Sequence, residues 1–328
     1  MRNYSFSACL SDYLNNYLVI QRNMSPNTIR SYKCTFKLLI KYILEVQKIA
    51  IKNIDFNILT KDLIKNFLEY LETENKISAN TRNQRLAAIK AFFMYVKDNN
   101  PEILLNTQQI LSIKCKKSIS KIVDYLTKEE LKQLLDVIPT DTRKGVRNLT
   151  LLSLMYDSAG RAEEIVKLKV SDLRLDSNPI VNIFGKGKKY RTVPITNNTK
   201  ELLVKYVRFN NIDKDSILFP NAKNNYCSTK MIAHMIDKYS KLVGFIDKNI
   251  HPHTFRHTRA MHLLESGINL IYIRDFLGHS SIETTEVYAK VNENLKREAI
   301  SNAYTFDVAN NLSDWNNDKN LLNELLGL

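Results

Sequence analysis

The chain has 328 residues, 44% of them hydrophobic, and carries a formal net charge of +14 at pH 7. That length accommodates two ordinary domains with a buried core each, and no apolar run approaches the roughly 20 residues that span a bilayer. Because the N-terminus lacks the apolar core of a signal peptide and basic residues are spread along the chain, we expect a cytoplasmic protein that binds a polyanion, most simply nucleic acid.

Residues 1–111 are predicted to form a helical N-terminal domain. Apolar residues recur at helical spacing in two segments, 27–43 and 79–96. Ser25 is the expected N-cap of the first helix, with Pro26 at its first position. Each helix also has a stripe of basic residues opposite its apolar residues, which we expect to remain outside the domain core.

The two basic stripes are predicted to contact DNA phosphates. An ordinary solvated face is the alternative, and we expect the stripes to lack acidic partners one helical turn away, which disfavours that alternative. The residues concerned are Arg30, Lys33, Lys37 and Lys41 on the first helix, and Arg82, Arg85 and Lys90 on the second.

Residues 112–124 are predicted to be a basic linker. Serine and lysine dominate this stretch, and no apolar period survives in it. Its predicted DNA contacts are Lys114, Lys116 and Lys117. Beyond the linker, we expect a second domain over residues 125–303 and a tail over residues 304–328.

The second domain is predicted to combine helices with a small antiparallel sheet. Thr127 and Glu130 form a capping box that opens its first helix. An apolar helix covers residues 147–158, and two strands with alternating β-branched residues lie within residues 177–195. The later helices are expected at 199–210, at 229–244 and from about His253. The predicted fold class is therefore mainly α, with a helical N-terminal domain and an α+β second domain.

Four separate segments of the second domain carry residues capable of chemistry. They are Arg161 with Glu164 one helical turn on, Lys186 at the Gly185–Gly187 hairpin turn, His253 with Arg256, and His279 with Tyr288 nine positions later. Each pattern alone is weak, because a lone arginine, a hairpin lysine or a helical tyrosine usually has no catalytic role. Lys188 and Lys189 lie at the same hairpin tip and are alternatives to Lys186.

Together, in this order and at these spacings, the four segments resemble the tyrosine recombinase family, the phage integrases. Members carry an arginine in a G-R-x-x-E context, a lysine on a β-hairpin, a His-x-x-Arg pair, and Leu-Gly-His followed nine residues later by tyrosine. The helical N-terminal domain resembles the family's core-binding, SAM-like domain, so the resemblance covers nearly the whole chain. One departure is that Gly160 directly precedes Arg161, where many members place a residue between the two.

The resemblance implies a site-specific DNA recombinase, or integrase, that needs no metal ion, ATP or other cofactor. Its substrate would be double-stranded DNA with a specific recombination site, held by a homotetramer in the synaptic complex. Tyr288 would form a 3′-phosphotyrosyl intermediate, and strand exchange would pass through a Holliday junction. A type IB topoisomerase and a DNA-binding protein without catalysis are the alternatives. The basic helical domain favours recombination, and the fully occupied catalytic positions disfavour a loss of catalysis.

The resemblance also assigns roles within the site. Arg161 and Arg256 would clamp the phosphate, since planar guanidinium forks match the geometry of its oxygens. His279 would add a hydrogen bond to the same oxygens, and Lys186, on a mobile hairpin, would protonate the departing 5′-oxygen. Since a phenol with a pKa of about 10 is almost fully protonated at neutral pH, it needs a proton acceptor, for which His253 is predicted.

Other residues of these segments have predicted supporting roles. Glu164 is predicted to orient the arginine one turn before it, and His251 and His257 are predicted to be structural or adjacent to the phosphate. His253 and His257 stand four apart, a spacing that zinc ligands use, but Arg256 between them would repel a cation. The four cysteines form no C-x-x-C pair, which predicts neither disulfides nor a zinc site.

Further expectations concern partners and cellular setting. The tail carries a leucine face formed by Leu321, Leu322, Leu325 and Leu326. We expect it to dock on a neighbouring protomer; packing in cis or a frayed terminus is the alternative. An accessory directionality factor is an expected type of partner. Integration of a mobile element is favoured over resolution of chromosome dimers, and the protein is expected at the nucleoid.

Overall fold

Two units make up the computed structural model of the chain, Met1–Ser120 and Lys121–Leu328. The structure describes residues 5–99, 104–117, 124–185, 190–245, 248–278, 285, 288 and 319–327. In these ranges the chain is mainly helical with one small antiparallel sheet, as predicted. None of the helices described there is long and apolar enough to cross a bilayer.

The first unit is built from helices. These are α1 (Phe6–Asp12), which continues into a π-helical segment (Tyr13–Gln21), α2 (Pro26–Glu45), α3 (Lys61–Thr73), α4 (Ala79–Asn99) and α5 (Leu104–Leu111), with a 3₁₀ turn at Ile51–Asn53. Ser25 accepts a hydrogen bond from the backbone N–H of Thr28, and Pro26 occupies the first position of α2. The predicted start of this helix is confirmed, since the cap satisfies an N–H that has no partner inside the helix.

Phe92 of α4 lies in the middle of the aromatic core of the first unit. Its ring contacts those of Phe6, Tyr13, Phe36 and Phe56, with centroids 5.9, 5.2, 5.1 and 6.4 Å away. Helices α2, α3 and α5 all pack against α4. Helix α4 is thus the central helix of the unit, which restricts how many of its polar side chains reach solvent.

The second unit combines helices with a three-stranded sheet. Its elements are α6 (Lys128–Asp136), α7 (Arg143–Ser158), α8 (Ala162–Ile165), a 3₁₀ turn (Val170–Asp172), β1 (Leu173–Arg174), β2 (Ile180–Phe184), β3 (Tyr190–Pro194), α9 (Asn197–Phe209), α10 (Thr229–Val243), α11 (Pro252–Glu265), α12 (Leu270–Leu277) and α13 (Lys319–Leu326). The capping box of Thr127 and Glu130 opens α6, as predicted. The helix predicted at 147–158 begins earlier, at Arg143, because Thr142 caps it.

The sheet is antiparallel in the order β1-β2-β3. Two of its strands were predicted, and the short β1 was not. In the register of β2 and β3, Val181 pairs with Val193 and Ile183 pairs with Arg191. Because side chains alternate along a strand, Arg191 lies on the same face as the buried Val193. The sheet thus places a charged side chain on its inner face.

Helix α7 lies in the core of the second unit. Leu151, Leu152, Leu154 and Met155 are fully buried, and the helix packs against α9 and α11. Since these neighbouring positions point to different sides of a helix, α7 is covered nearly all round. Its C-terminus is therefore fixed by packing, and so is the segment that leaves it at Ala159.

Candidate active site

The first predicted segment of the site begins where α7 ends. Ala159, the C-cap of α7, has a left-handed backbone with φ of 47°. Gly160 passes so close to Ile165 that an added Cβ would lie 2.6 Å from the Ile165 Cδ1 atom. This tight turn delivers Arg161 as the N-cap of α8.

Arg161 and Glu164 are in contact. The Arg161 backbone N–H donates to Glu164 Oε2 over 2.9 Å, and the Arg161 Nη1 atom donates to Oε1 over 2.8 Å. Glu164 is buried, whereas Arg161 is partly exposed. This contact is the one through which Glu164 would orient Arg161.

Arg191 is a second partner of Glu164, and it was not predicted. Its Nη1 and Nη2 atoms donate to Glu164 Oε1 and Oε2 over 3.2 and 2.7 Å. Burial favours a higher pKa, yet the hydrogen bonds and charges of Arg191 and Arg161 hold the pKa of Glu164 below its ordinary value. A signal was available, because strand alternation puts this arginine on the same face as Val193 and Ile195.

Arg256 of α11 is almost fully buried and is held by two backbone carbonyls. Its Nη1 atom donates to the carbonyl of Ala159 over 2.7 Å, and its Nη2 atom donates to that of Leu277 over 2.6 Å. These residues end α7 and α12, so both acceptors carry the partial negative charge of a helix C-terminus. Burial, followed by the charges of Arg161 and Arg191, lowers the pKa of Arg256 to about 9.

Tyr288, the predicted nucleophile, is buried, and a hydrogen bond of 2.8 Å joins its hydroxyl to His257 Nδ1. Burial raises the pKa of Tyr288, and the charges of Arg256 and Arg161 oppose this change. Burial, followed by the nearby histidines and Arg256, lowers the pKa of His257 to about 4. Both side chains are therefore uncharged at neutral pH, the state in which an imidazole nitrogen can accept the phenol proton.

His253 was the predicted proton acceptor, whereas the hydroxyl of Tyr288 lies against His257. Partial burial, followed by the nearby positive charges, lowers the pKa of His253. The rings of His253 and His257 are neighbours on α11, with centroids 6.4 Å apart. The structure therefore adds His257 to the site. The available signal was a histidine directly after the arginine of the His-x-x-Arg pair.

Part of the predicted site lies outside the described residues. This applies to Lys186 with its alternatives Lys188 and Lys189, and to His279. The residue before His279 is described: Gly278 is the C-cap of α12, with φ of 66°. A Cβ at Gly278 would lie 3.0 Å from the Arg191 Cδ atom. The left-handed turn therefore brings the start of the Leu-Gly-His segment against β3.

The described site carries an excess of positive charge. Arg161 and Arg191 both bind the carboxylate of Glu164, and their charges reach Arg256. Three guanidinium groups against one carboxylate leave two charges uncompensated among these four side chains. Such an excess suits an anion like a DNA phosphate.

The histidines and cysteines are the side chains most suited to bind a metal ion such as zinc. Within the described ranges, no group of three or more His, Cys, Asp or Glu residues is arranged to hold a metal ion. His253 and His257, whose spacing zinc ligands use, lie near Arg256, whose charge contributes to the lowered pKa of both rings. The four cysteines all fall in described segments and are free thiols.

The predicted DNA contacts on α2 point to solvent. Exposed side chains are found at Arg30, Lys33, Lys37 and Lys41. Lys33 donates to the Asn15 side chain, and Lys41 lies 3.6 Å from Glu45. The prediction that this stripe lacks acidic partners is wrong at Lys41, because Glu45 stands one turn later on the same helix. Contact between the stripe and DNA stays a prediction.

The prediction that the basic side of α4 remains outside the core is wrong for Arg82, and Arg85 is half-buried. Arg82 is buried, with its Nε atom 3.4 Å from Glu72 Oε2. Arg85 donates to the Ser31 carbonyl over 3.1 Å and thereby joins α4 to α2. The reason is the central position of α4, which neighbours cover on several sides. Both arginines stabilise the unit internally. Arg82 is too buried to be expected to contact DNA, whereas contact between Arg85 and DNA stays a prediction.

The beginning of the predicted linker is attached to the first unit. The linker lysines Lys114, Lys116 and Lys117 are exposed. Lys116 Nζ donates to Glu72 Oε2 over 2.8 Å, and the Lys116 backbone exchanges two hydrogen bonds with the Asn83 side chain. Residues 118–123 of the linker lie outside the described ranges.

Comparison with known proteins identifies the family. Residues 124–294 match the family described as "Phage integrase family", and residues 11–100 match "Phage integrase, N-terminal SAM-like domain". The chain belongs to the phage integrase family. It is a tyrosine recombinase, an enzyme of site-specific recombination that cleaves and rejoins DNA.

Relatives of this tyrosine recombinase match it over most of its length. A putative integrase/recombinase from Sinorhizobium fredii is 31% identical over 323 residues, which cover 97% of each chain. Tyrosine recombinase XerD from Rickettsia bellii is 31% identical over 297 residues, which cover 86% of this chain and 94% of that protein.

Solved structures share the fold of this recombinase. The XerH site-specific recombinase bound to palindromic difH substrate matches with a TM-score of 0.68 at 23% identity, over 90% of this chain and 87% of that chain. The Tn1549 transposon integrase in complex with transposon right end DNA matches with a TM-score of 0.68 at 17% identity, over 91% and 99%. The predicted fold class is confirmed.

Proposed function

We propose that this recombinase cuts DNA by direct attack of Tyr288 on a backbone phosphodiester. The bond between Tyr288 Oη and phosphorus forms as the bond from phosphorus to the 5′-oxygen breaks, which leaves a 3′-phosphotyrosyl intermediate and a free 5′-hydroxyl. Attack by a 5′-hydroxyl of another strand reverses the step, and two such exchanges pass through a Holliday junction. The hydrogen bond between Tyr288 and His257, close to Arg256, supports this proposal.

His257 is the proposed acceptor of the phenol proton. Its Nδ1 atom lies at hydrogen-bond distance from the hydroxyl, and its lowered pKa keeps the ring neutral. As Oη bonds to phosphorus, its proton passes to Nδ1, and the bound phosphate offsets the positive charges that disfavour an imidazolium. His253, the acceptor predicted from the sequence, is left to hydrogen-bond a non-bridging phosphate oxygen.

Arg161 and Arg256 are the proposed phosphate clamp. Each terminal nitrogen of Arg256 gives one hydrogen to a carbonyl and has a second one for a phosphate oxygen. Arg161 uses Nη1 for Glu164 and is partly exposed, so its remaining N–H groups can face DNA. His279 adds a hydrogen bond to the phosphate, and Lys186 protonates the departing 5′-oxygen.

The proposed assembly is a homotetramer on two DNA duplexes, each with a specific recombination site. Residues 1–111 bind the core site, residues 125–303 catalyse, and residues 112–124 link them. The Tn1549 integrase, bound to transposon DNA, is the precedent for action on a mobile element. The tail, whose helix α13 carries an exposed Leu326, docks on the neighbouring protomer. We further propose that the recombinase works with an accessory directionality factor and that it is located at the nucleoid in the cytoplasm.

Covalent capture of DNA tests this function. The purified chain is incubated with a library of nicked duplexes of random sequence, and DNA that stays attached after denaturation is sequenced. We expect a covalent complex that is lost in Tyr288→Phe. Tyr272→Phe is the matched control and should retain it, because Tyr272 is an exposed tyrosine on α12. Capture that persists in Tyr288→Phe would identify another nucleophile and overturn the proposal.

The captured site then separates the alternatives. Two duplexes of different length that carry it are expected to yield products with exchanged ends. Relaxation of a supercoiled duplex without exchange would indicate a type IB topoisomerase activity. Binding without any covalent complex would indicate a DNA-binding protein without catalysis.

A further inference from the structure

Arg191 connects three of the four segments that form the site. It lies on β3, in the hairpin strand that follows Lys186. Its guanidinium binds Glu164 with both terminal nitrogens, and Glu164 binds Arg161. Its Cδ atom lies next to Gly278, since a Cβ added to Gly278 would be 3.0 Å from that atom. One side chain thus touches the G-R-x-x-E segment, belongs to the hairpin and packs against the Leu-Gly-His segment.

The ion pair between Arg191 and Glu164 is shielded from solvent. The two side chains are 12% and 6% exposed, and Nη2 lies 2.7 Å from Oε2. Hydrogen bonds from Arg161 complete the set of donors to this carboxylate. A buried carboxylate with charged donors on both oxygens is held in one position, unlike an ion pair on the surface. Removing Arg191 would leave Glu164 buried with fewer partners, which is strongly unfavourable.

The geometry gives Arg191 an indirect role in catalysis. Both of its terminal nitrogens are directed at Glu164, whereas Arg161 directs one there and is partly exposed. In the proposed function, the phosphate is bound by Arg161 and Arg256. Arg191 acts on the first of them through the shared carboxylate.

We propose that Arg191 is a positioning residue for strand cleavage. Through Glu164 it fixes Arg161 of the phosphate clamp, and through its own strand it fixes the base of the hairpin that carries Lys186. Arg161 and the base of the hairpin are thereby held in place before DNA binds. The inference rests on the proposed function, because it assigns Arg191 a part in that same reaction.

Single-turnover cleavage of the captured DNA site tests this role. Arg191→Gln is expected to slow formation of the covalent complex about 100-fold, the loss typical of a small misplacement of reacting groups. DNA affinity in a mobility-shift assay should change less than about threefold, because phosphate contacts are shared over many side chains. Arg174→Gln is the matched control and should cleave at the unchanged rate, since Arg174 is an exposed arginine on β1, paired with Asp176.

Two comparisons distinguish positioning from a general loss of folding. The double variant Arg191→Gln/Glu164→Gln should lose no more activity than the more impaired single variant, since both act through one contact. A 5′-sulfur in place of the scissile 5′-oxygen leaves without a proton, so alignment of Lys186 no longer matters. With this substrate, the ratio of the unchanged enzyme's rate to that of Arg191→Gln should therefore be about tenfold smaller than with the ordinary substrate.

Arg191→Lys provides a conservative comparison. It keeps the charge and loses the two-pronged geometry, so its cleavage rate should fall between those of Arg191→Gln and the unchanged chain. If circular dichroism shows that Arg191→Gln does not fold, Arg191→Lys takes its place in every comparison above.

Several outcomes would overturn the inference. The first is cleavage by Arg191→Gln at close to the unchanged rate, and the second is a double variant whose loss of rate is the product of the losses in the two single variants. The third is a loss of DNA affinity in Arg191→Gln as large as its loss of cleavage rate. The fourth is an unchanged rate deficit of Arg191→Gln on the sulfur substrate. In each case the unchanged chain still cleaves DNA, and the proposed function stands. An unchanged chain that forms no covalent complex would instead overturn the proposed function and this inference with it.

Discussion

The hydrogen bond between Tyr288 and His257 joins two groups whose pKa values are displaced in opposite directions. Burial raises the pKa of the phenol and lowers that of the imidazole to about 4. Proton transfer between them is therefore unfavourable in the free enzyme. The nucleophile stays protonated until its bond to phosphorus withdraws electrons from the oxygen, so no phenolate is presented in the absence of DNA.

Cleavage is expected to depend on pH through His257. The ring must be neutral to accept a proton, so the single-turnover rate should fall at acid pH. Because the bound phosphate raises the pKa of His257 in the complex, the fall should begin above the value of about 4 in the free enzyme. His257→Gln cannot take up the proton, so it should be slower by about 100-fold and lose this acid limb.

The matched control for His257 is His234→Gln on α10, an exposed histidine whose removal should leave rate and pH profile unchanged. The measurement is covalent-complex formation across the pH range on the captured site. A His257→Gln profile with the original acid limb would assign the limb to another group and contradict the role of His257.

How much of the site the sequence predicts depends on the separation of the contacting residues. Arg161 and Glu164 stand one turn apart, so their spacing alone predicts the contact that the structure shows. Arg191 reaches Glu164 from 27 positions away, and His257 meets Tyr288 from 31 positions away. Such contacts depend on how β3 and α11 pack in the unit, which no local spacing encodes.

At the scale of elements, the turn between α7 and α8 depends on the absence of a side chain at Gly160. An alanine Cβ would lie 2.6 Å from Ile165 Cδ1, so the Ile165 side chain or the turn itself must shift. Gly160→Ala is expected to lower the free energy of unfolding by about 1–3 kcal/mol, as overpacking does. Cleavage should slow as well, because Arg161 begins α8.

The contacting residue provides the test of this cause. Ile165→Val removes the Cδ1 atom that the new Cβ would meet. In urea unfolding, the double variant Gly160→Ala/Ile165→Val should lose less stability than the two single variants together. Additive losses would mean that the contact with Ile165 is not the source of the strain.

Helix α4 shows where helical periodicity stops being informative. The apolar residues that recur at helical spacing in this segment, Leu86, Ile89, Phe93 and Val96, are buried. Periodicity identifies the centre of a buried face and not its width, which depends on how many neighbours cover the helix. Phe92 and Arg82 are buried as well because α4 is central. The fold class and the caps at Ser25 and Thr127, in contrast, follow from local residues and were predicted.

At the scale of the whole molecule, the net charge of +14 predicts that DNA binding weakens steeply with salt. Lys37 is exposed on α2. Lys37→Gln should therefore reduce the slope of log affinity against log salt concentration by about one and leave the Tm unchanged. Arg82→Gln removes a buried partner of Glu72, so it should lower the Tm by several degrees and leave the slope unchanged.

Salt titrations by mobility shift and thermal unfolding measure the two effects on the same preparations. An unchanged slope in Lys37→Gln, together with a reduced slope in Arg82→Gln, would place the DNA contacts on α4 and contradict their assignment to α2.

The two arginines of the clamp differ in how vulnerable they are to genetic change. The Arg161 side chain donates to the carboxylate of Glu164, so a substitution of Glu164 removes this acceptor. Arg256 relies on the main-chain oxygens of Ala159 and Leu277, which every amino acid retains. Replacements at those two positions preserve the anchor as long as α7 and α12 end where they do. The anchor of Arg256 therefore does not depend on which side chains stand at those two positions, whereas the anchor of Arg161 depends on the carboxylate of Glu164.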